Sequence, residues 1–196
     1  MEPVYDQLLE LAAPYLDTRD NDLHVRTARQ FAERILEQVQ ADEDIVIPAI
    51  LLHDLGWKMI PEELQSTAYG PVIQDPELNR KHEVEGVRLA RDILQQVNYD
   101  PAKTKEILTI IDGHDSRPVA LSVNDQIVKD ADKLWRLSEK GFRLFQRTFG
   151  IPPMEFAEWF SQQVDRWFFT DAAKVIARQE IANRKAEVAR NGSKGT

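Results

Sequence analysis

Cysteine is absent from this chain of 196 residues. That excludes a disulfide scaffold, a thiolate zinc site and a cysteine nucleophile together, and it fits a reducing compartment. Glycine and proline are scarce, at 8 and 10 residues, which suits long helices better than many short strands joined by tight turns. No apolar run approaches the ~18–20 residues that cross a bilayer. The first ten residues, MEPVYDQLLE, are acidic and carry no basic stretch followed by an apolar one, so no secretory signal is read there. The expectation is a cytoplasmic protein without a membrane partner. Positive charge is also short: 25 basic residues face 33 acidic ones, for a net charge of −8. Such a chain repels nucleic acid unless a local basic patch intervenes. A phosphorylated small molecule would meet the same field, and bound metal ions would offset it locally.

The 42% hydrophobic and 30% charged residues are ordinary for a globular chain. The length is that of one domain, or one domain with extra helices. Residues 3–17 follow a helical rhythm, and Asp20 to Asp22 can cap the helix after them. In that helix Ala28, Phe31, Ala32, Ile35 and Leu36 recur at helical spacing, with His24 one turn earlier on the same face. The segment IVIPAILLHDLGW is apolar nearly all round and reads as a central helix, Pro48 falling near its first turn. Residues 56–76 read as a long loop with a short helix starting at Pro61. Further helices are expected over 77–97, from Asp100-Pro101 to about His114, after Ser122, and over 138–148, 153–169 and 171–190. The fold class is all-α, an orthogonal helical bundle. One domain is expected over 1–190, with a polar tail over 191–196.

All four histidines fall at expected helix positions that face the core. A single buried histidine is usually a satisfied core residue, but four in one core need partners for eight ring nitrogens. A shared metal satisfies them together. His53 and Asp54 are adjacent, about 100° apart on a helix. A carboxylate has two oxygens and can bridge two cations, so this doublet suits the middle of a dinuclear site. Asp130 and Asp132 both flank the stripe formed by Ile127, Val128, Ala131, Leu134 and Trp135, and periodicity does not choose between them.

The segments LHVRTARQFAERIL, LLHDLGW, KHEVEGVRLA, IIDGHDSRP and VKDADKLWR resemble, in order and spacing, the HD superfamily of metal-dependent phosphohydrolases, over residues 20–140. Two histidines between the doublet and the last aspartate resemble its dinuclear subset. The resemblance implies an HD-type bundle. It implies that His24, His53 and Asp132 hold one metal, that Asp54 bridges, and that His82 and His114 hold the second. The A-D-K-L string favours Asp132 over Asp130. Asp115 is a partner of the ligands or a helix-end acid.

Nitrogen and oxygen donors without sulfur suit Mn, Fe, Co, Ni or Zn better than Mg. Two such metals ~3.5–4 Å apart acidify a water and clamp a phosphoryl oxygen, so no protein nucleophile is needed. Lys58, four residues past the doublet, and Arg117, just past His114, are candidate grips for a substrate phosphate. Lys58 also has an expected catalytic role. Arg80 and Lys81 are lesser candidates. Trp57 and Tyr69 can stack on a base or pack. Gly86 allows a close approach by a metal-bound group or a tight helix crossing. The expected function is phosphomonoester or phosphodiester hydrolysis of a small substrate of the nucleotide class, with a homodimer as a possible assembly. Two alternatives share the ligands: a mixed-valent di-iron oxygenase, for which Tyr15 is the thin pointer, and a non-catalytic metal- or nucleotide-binding module.

Overall fold

The structure is a computed structural model that describes residues 3–70 and 72–192. Ten α-helices follow one another: α1 (Pro3–Leu16), α2 (Asn21–Leu36), α3 (Glu43–Leu52), α4 (Glu62–Gln65), α5 (Pro76–Gln96), α6 (Pro101–Ile111), α7 (Val123–Leu134), α8 (Glu139–Phe149), α9 (Pro153–Trp167) and α10 (Asp171–Gly192). Short 3₁₀ helices cover Leu55–Met59 and Trp135–Leu137. Helix, 3₁₀ turns included, accounts for 76% of the described residues, and no strand occurs among them. The all-α expectation therefore holds. Helix α10 runs two residues into the expected tail, and residues 193–196 lie outside the described residues. No described helix is long and apolar enough to cross a membrane.

Helix α3 is the axle of the bundle. Every residue from Ile45 to Leu52 is buried, and α1, α2, α6 and α7 pack around it. Burying each large aliphatic side chain contributes roughly 1.5–3 kcal/mol, so this one segment anchors four neighbours. Pro48 lies in the middle of α3 rather than in its first turn. Proline lacks the N–H that would bond the carbonyl four residues back. That carbonyl, of Asp44, instead accepts from the Tyr99 hydroxyl at 2.6 Å, so no backbone acceptor is stranded and the helix continues.

Two expected helices end early, and both ends serve the histidines. Helix α3 stops at Leu52, so His53 and Asp54 lie on the turn after it. The chain there must press against α5: a Cβ on Gly56 would stand 1.8 Å from the His82 carbonyl oxygen and 2.6 Å from the Gly86 nitrogen. Only glycine permits that approach, and Gly86 belongs to the same tight crossing. Helix α6 likewise stops at Ile111, and His114 sits in the turn beyond it. The buried Lys129 of α7 donates to the carbonyls of Gly113 (2.6 Å), His114 (2.8 Å) and Arg117 (3.0 Å), which ties that turn to the bundle. Asp20 precedes α2 in a left-handed conformation, and its side chain makes no cap.

Asp130 faces the far side of α7. Its carboxylate accepts from Phe169 N, Thr170 N and the Thr170 hydroxyl, each at 2.8 Å, and thereby orders the start of α10. Asp130→Ala leaves three buried donors without an acceptor. Its unfolding free energy in urea should fall by roughly 3 kcal/mol, while the folded variant keeps its full capacity for metal. A variant as stable as the parent would contradict this role.

Candidate metal centre

Six side chains from five places in the chain converge. His24 comes from α2, His53 and Asp54 from the turn after α3, His82 from α5, His114 from the turn after α6, and Asp132 from α7. All six are buried. The four imidazoles present Nε2 to one another: His24 and His53 stand 3.0 Å apart, His82 and His114 3.2 Å. Asp132 Oδ1 lies 3.3 Å from His24 Nε2 and 3.6 Å from His53 Nε2. Of the two aspartates that periodicity leaves open, Asp132 is therefore the one in the cluster. Asp54 stands between two groups of rings. Its Oδ2 is 3.6 Å from His24 Nε2, and its Oδ1 is 3.6, 3.8 and 3.4 Å from the Nε2 atoms of His53, His82 and His114.

Donor chemistry shows what this cluster can hold. Nδ1 of His53 donates to the Ile50 carbonyl at 2.8 Å and Nδ1 of His114 to the Ile111 carbonyl at 3.0 Å. A carbonyl only accepts, so these bonds put a proton on Nδ1 and leave the Nε2 lone pair pointing inward, the tautomer that a metal ligand needs. In the neutral rings these lone pairs face carboxylate oxygens, an arrangement that takes up positive charge at its centre, as protons or as a metal ion. Metal ligation fits three overlapping sets whose donor atoms lie within 4.8 Å of one another: His24, His53 and Asp132; His53, Asp54 and His114; His82, His114 and Asp115. Asp115, which also accepts from Asn79 Nδ2 at 3.1 Å, is thus a candidate ligand in its own right.

Protons can substitute for the metal only in part. Burial alone would lower the His114 pKa, but the bond to Asp54 and the charges of Asp115, Asp54 and Glu83 outweigh it and push it up to about 9. His53 is also raised, since Asp54 and Asp132 prevail over burial. Burial wins at His24, which is lowered, and at His82, lowered to about 4 with help from the His114 charge. Asp54 and Asp132 stay well below the usual carboxylate range despite burial: His53, His114 and His24 hold Asp54 there, Arg136 and the rings hold Asp132.

The supporting groups are equally specific. Trp57 Nε1 donates to Asp54 Oδ1 at 3.0 Å, and its ring stacks on His82 at 4.1 Å between centroids. Trp135 meets His24 edge-on. Glu83 accepts from Asp115 N, Ser116 N and Ser116 Oγ, and so fastens the turn that carries His114.

A cleft of about 550 Å³, counted with its open mouth, leads to the cluster. Its walls include His24, Asp54, His114 and Asp132, with Arg19, Tyr69 and Arg136 around them and Phe145 and Thr148 of α8 beyond. The expected phosphate grips are elsewhere. Lys58 is exposed and donates to the Asp17 carbonyl at 2.7 Å. Arg117 bonds the carbonyls of Asp112, Thr109 and Val119 and the Asp125 carboxylate. Arg80 pairs with Glu83 and Asp112, and Lys81 is exposed. The cations on the cleft are Arg19 and Arg136, which sequence reading passes over. Trp57 is 2% exposed, too deep to stack on a base. Tyr15 does not line the cleft.

A family model, the HD domain, matches residues 22–137. No curated protein matches the sequence. The fold is similar to the crystal structure of a predicted HD superfamily hydrolase from an uncultured Thermotogales bacterium. The identity is 19%, the TM-score 0.65, and the match covers 97% of this chain and 92% of that one.

The raised His114 pKa carries a sign. In the metal-free protein His114 is protonated at neutral pH, and a metal must displace that proton. Affinity for Mn should therefore fall as pH drops below about 9. Calorimetric titration at pH ~7.5 in two buffers of different ionisation enthalpy should show protons released as metal binds, and His114→Ala should reduce that release by about one proton. Binding without proton release would contradict the assignment.

Proposed function

Because the chain belongs to the HD-domain family, we propose that it is a metal-dependent phosphohydrolase of a small phosphorylated substrate, with nucleotides the first class to test. The observation that carries the reading is the position of Asp54 among all four rings: its Oδ2 faces His24 and its Oδ1 faces His53, His82 and His114. His24, His53 and Asp132 would hold one divalent ion and His82 and His114 a second, with Asp54 shared between them. When bound, such ions acidify a water and withdraw charge from a phosphoryl oxygen.

The chain's own part is positional. Trp57 fixes the plane of the Asp54 carboxylate through a 3.0 Å hydrogen bond. The Ile50 and Ile111 carbonyls fix two ring orientations. The walls of the cleft restrict water around the reacting phosphoryl group, which strengthens every charge interaction inside. No cysteine is available as nucleophile, and none is required.

Asp54→Ala should leave a helical far-ultraviolet spectrum but lower phosphoester hydrolysis at least about a thousandfold, as expected when residues acting as a unit lose their common member. Activity is measured on nucleotide and sugar-phosphate panels with Mn, Ni, Co, Fe and Mg. Full activity in Asp54→Ala would exclude the shared-carboxylate mechanism.

A further inference from the structure

Arg19 occupies an unusual place. It lies in the turn between α1 and α2, where it and Asp20 adopt φ values of +54° and +58°. That is two successive residues other than glycine in the left-handed region, which only a constraining environment sustains. Its guanidinium carbon is 4.1 Å from the centroid of the Trp57 ring and 4.0 Å from that of Tyr69. Both rings are themselves held: Trp57 by Asp54 and His82, Tyr69 by an edge contact with Phe149. The guanidinium is therefore gripped by two aromatic rings, on the wall of the cleft that contains His24, Asp54 and His114.

What Arg19 lacks is an acceptor. Its Nε and Nη1 are shielded from solvent and bond to nothing, and no described residue pairs with its charge. This is not for want of acids nearby. Asp17, Asp20 and Asp22 surround it in sequence, yet Lys58 stands beside Asp17 and Arg26 pairs with Asp22. An arginine kept only for structure would take one of those carboxylates, because buried N–H groups without partners destabilise the fold. Arg136, the second cation on the cleft, is only loosely engaged: its Nη1 stands 3.7 Å from Asp132 Oδ2, beyond hydrogen-bond reach.

We propose that Arg19 is the anion anchor of the cleft: it binds the oxygens of the substrate's phosphoryl group that do not react, with Arg136 as a second contact. This rests on the phosphohydrolase reading above. A guanidinium offers planar N–H donors that match phosphate oxygens; the two rings fix its plane, with Nη2 the nitrogen not sealed from solvent and Nε and Nη1 buried behind it without acceptors. Preorganisation of this kind removes an ordering cost from binding. Arg19 thereby replaces Lys58 and Arg117, whose side chains are committed elsewhere, as the group that recognises phosphate.

The test is direct binding of inorganic phosphate to the Mn-loaded protein by calorimetry, with metal content and melting temperature measured on each variant. Arg19→Ala should weaken phosphate binding by about tenfold or more, and Arg19→Lys should restore only part of it, because an ammonium keeps the charge but loses the planar donors. Metal content should be unchanged in both. Should Arg19→Ala not fold, Arg19→Lys carries the test alone: binding equal to the parent's overturns the proposal, and weakened binding with full metal supports it. Phosphate binding undiminished in a folded Arg19→Ala overturns it, as does a parent protein that binds no phosphate. Hydrolysis, assayed separately, distinguishes the two readings. Phosphate binding that depends on Arg19 in a protein hydrolysing no phosphoester would leave the anchor standing and remove the hydrolase, whereas hydrolysis with phosphate binding independent of Arg19 would do the opposite.

Discussion

Asp54 is buried with its oxygens 3.4 to 3.8 Å from four imidazole nitrogens, and two of those rings already have their protons on the opposite nitrogen. Removing a carboxylate from water is expensive unless positive charge meets it. Asp132, a few ångströms away, adds a second such group. The polar centre therefore needs positive charge, which protons on the rings supply only in part, and the surrounding architecture keeps six mutually dependent side chains in place for a cation. Helix α3 supplies the rigid axle, Gly56 lets the doublet press on α5, and Lys129 and Glu83 fasten the turn that presents His114. Because these supports come from different helices, the centre is a property of the whole bundle.

The same constraint explains how the charges are distributed. A chain with net charge −8 would need local positive charge wherever a phosphorylated substrate arrived. Metals held at the base of the cleft would supply part of it, and Arg19 and Arg136 stand on the walls to supply the rest. Most other basic side chains near the centre are already neutralised: Arg80 by Glu83 and Asp112, Arg117 by Asp125 and three carbonyls.

The helices were legible because their apolar positions recur at helical spacing, as in Ala28, Phe31, Ala32 and Ile35, all of which are buried. The six clustered side chains were legible because their types and order resemble a known family. Other features depend on tertiary structure, which local patterns do not encode. The early ends of α3 and α6 follow from the close approach to α5 and from bonds to Lys129, and nothing in the apolar spacing marks either. Asp130 and Asp132 are equivalent by periodicity; the family resemblance favours Asp132, and the packing of the α9–α10 turn against α7 shows where Asp130 goes. Arg19 reads as one more solvated charge among Asp17, Asp20 and Asp22, since the rings that grip it lie some forty and fifty residues away in sequence. Lys58 and Arg117 were drawn in by sequence proximity to ligands, which says little about where a long side chain points.

The central claim is that the six buried side chains form a two-ion centre divided by Asp54. Anomalous diffraction from crystals grown with Mn at mildly alkaline pH tests it most directly. The account predicts two peaks, one among His24, His53 and Asp132 and the other beside His82 and His114, with the Asp54 carboxylate between them. A cluster that keeps its geometry but shows no anomalous peak in the presence of saturating Mn would contradict it.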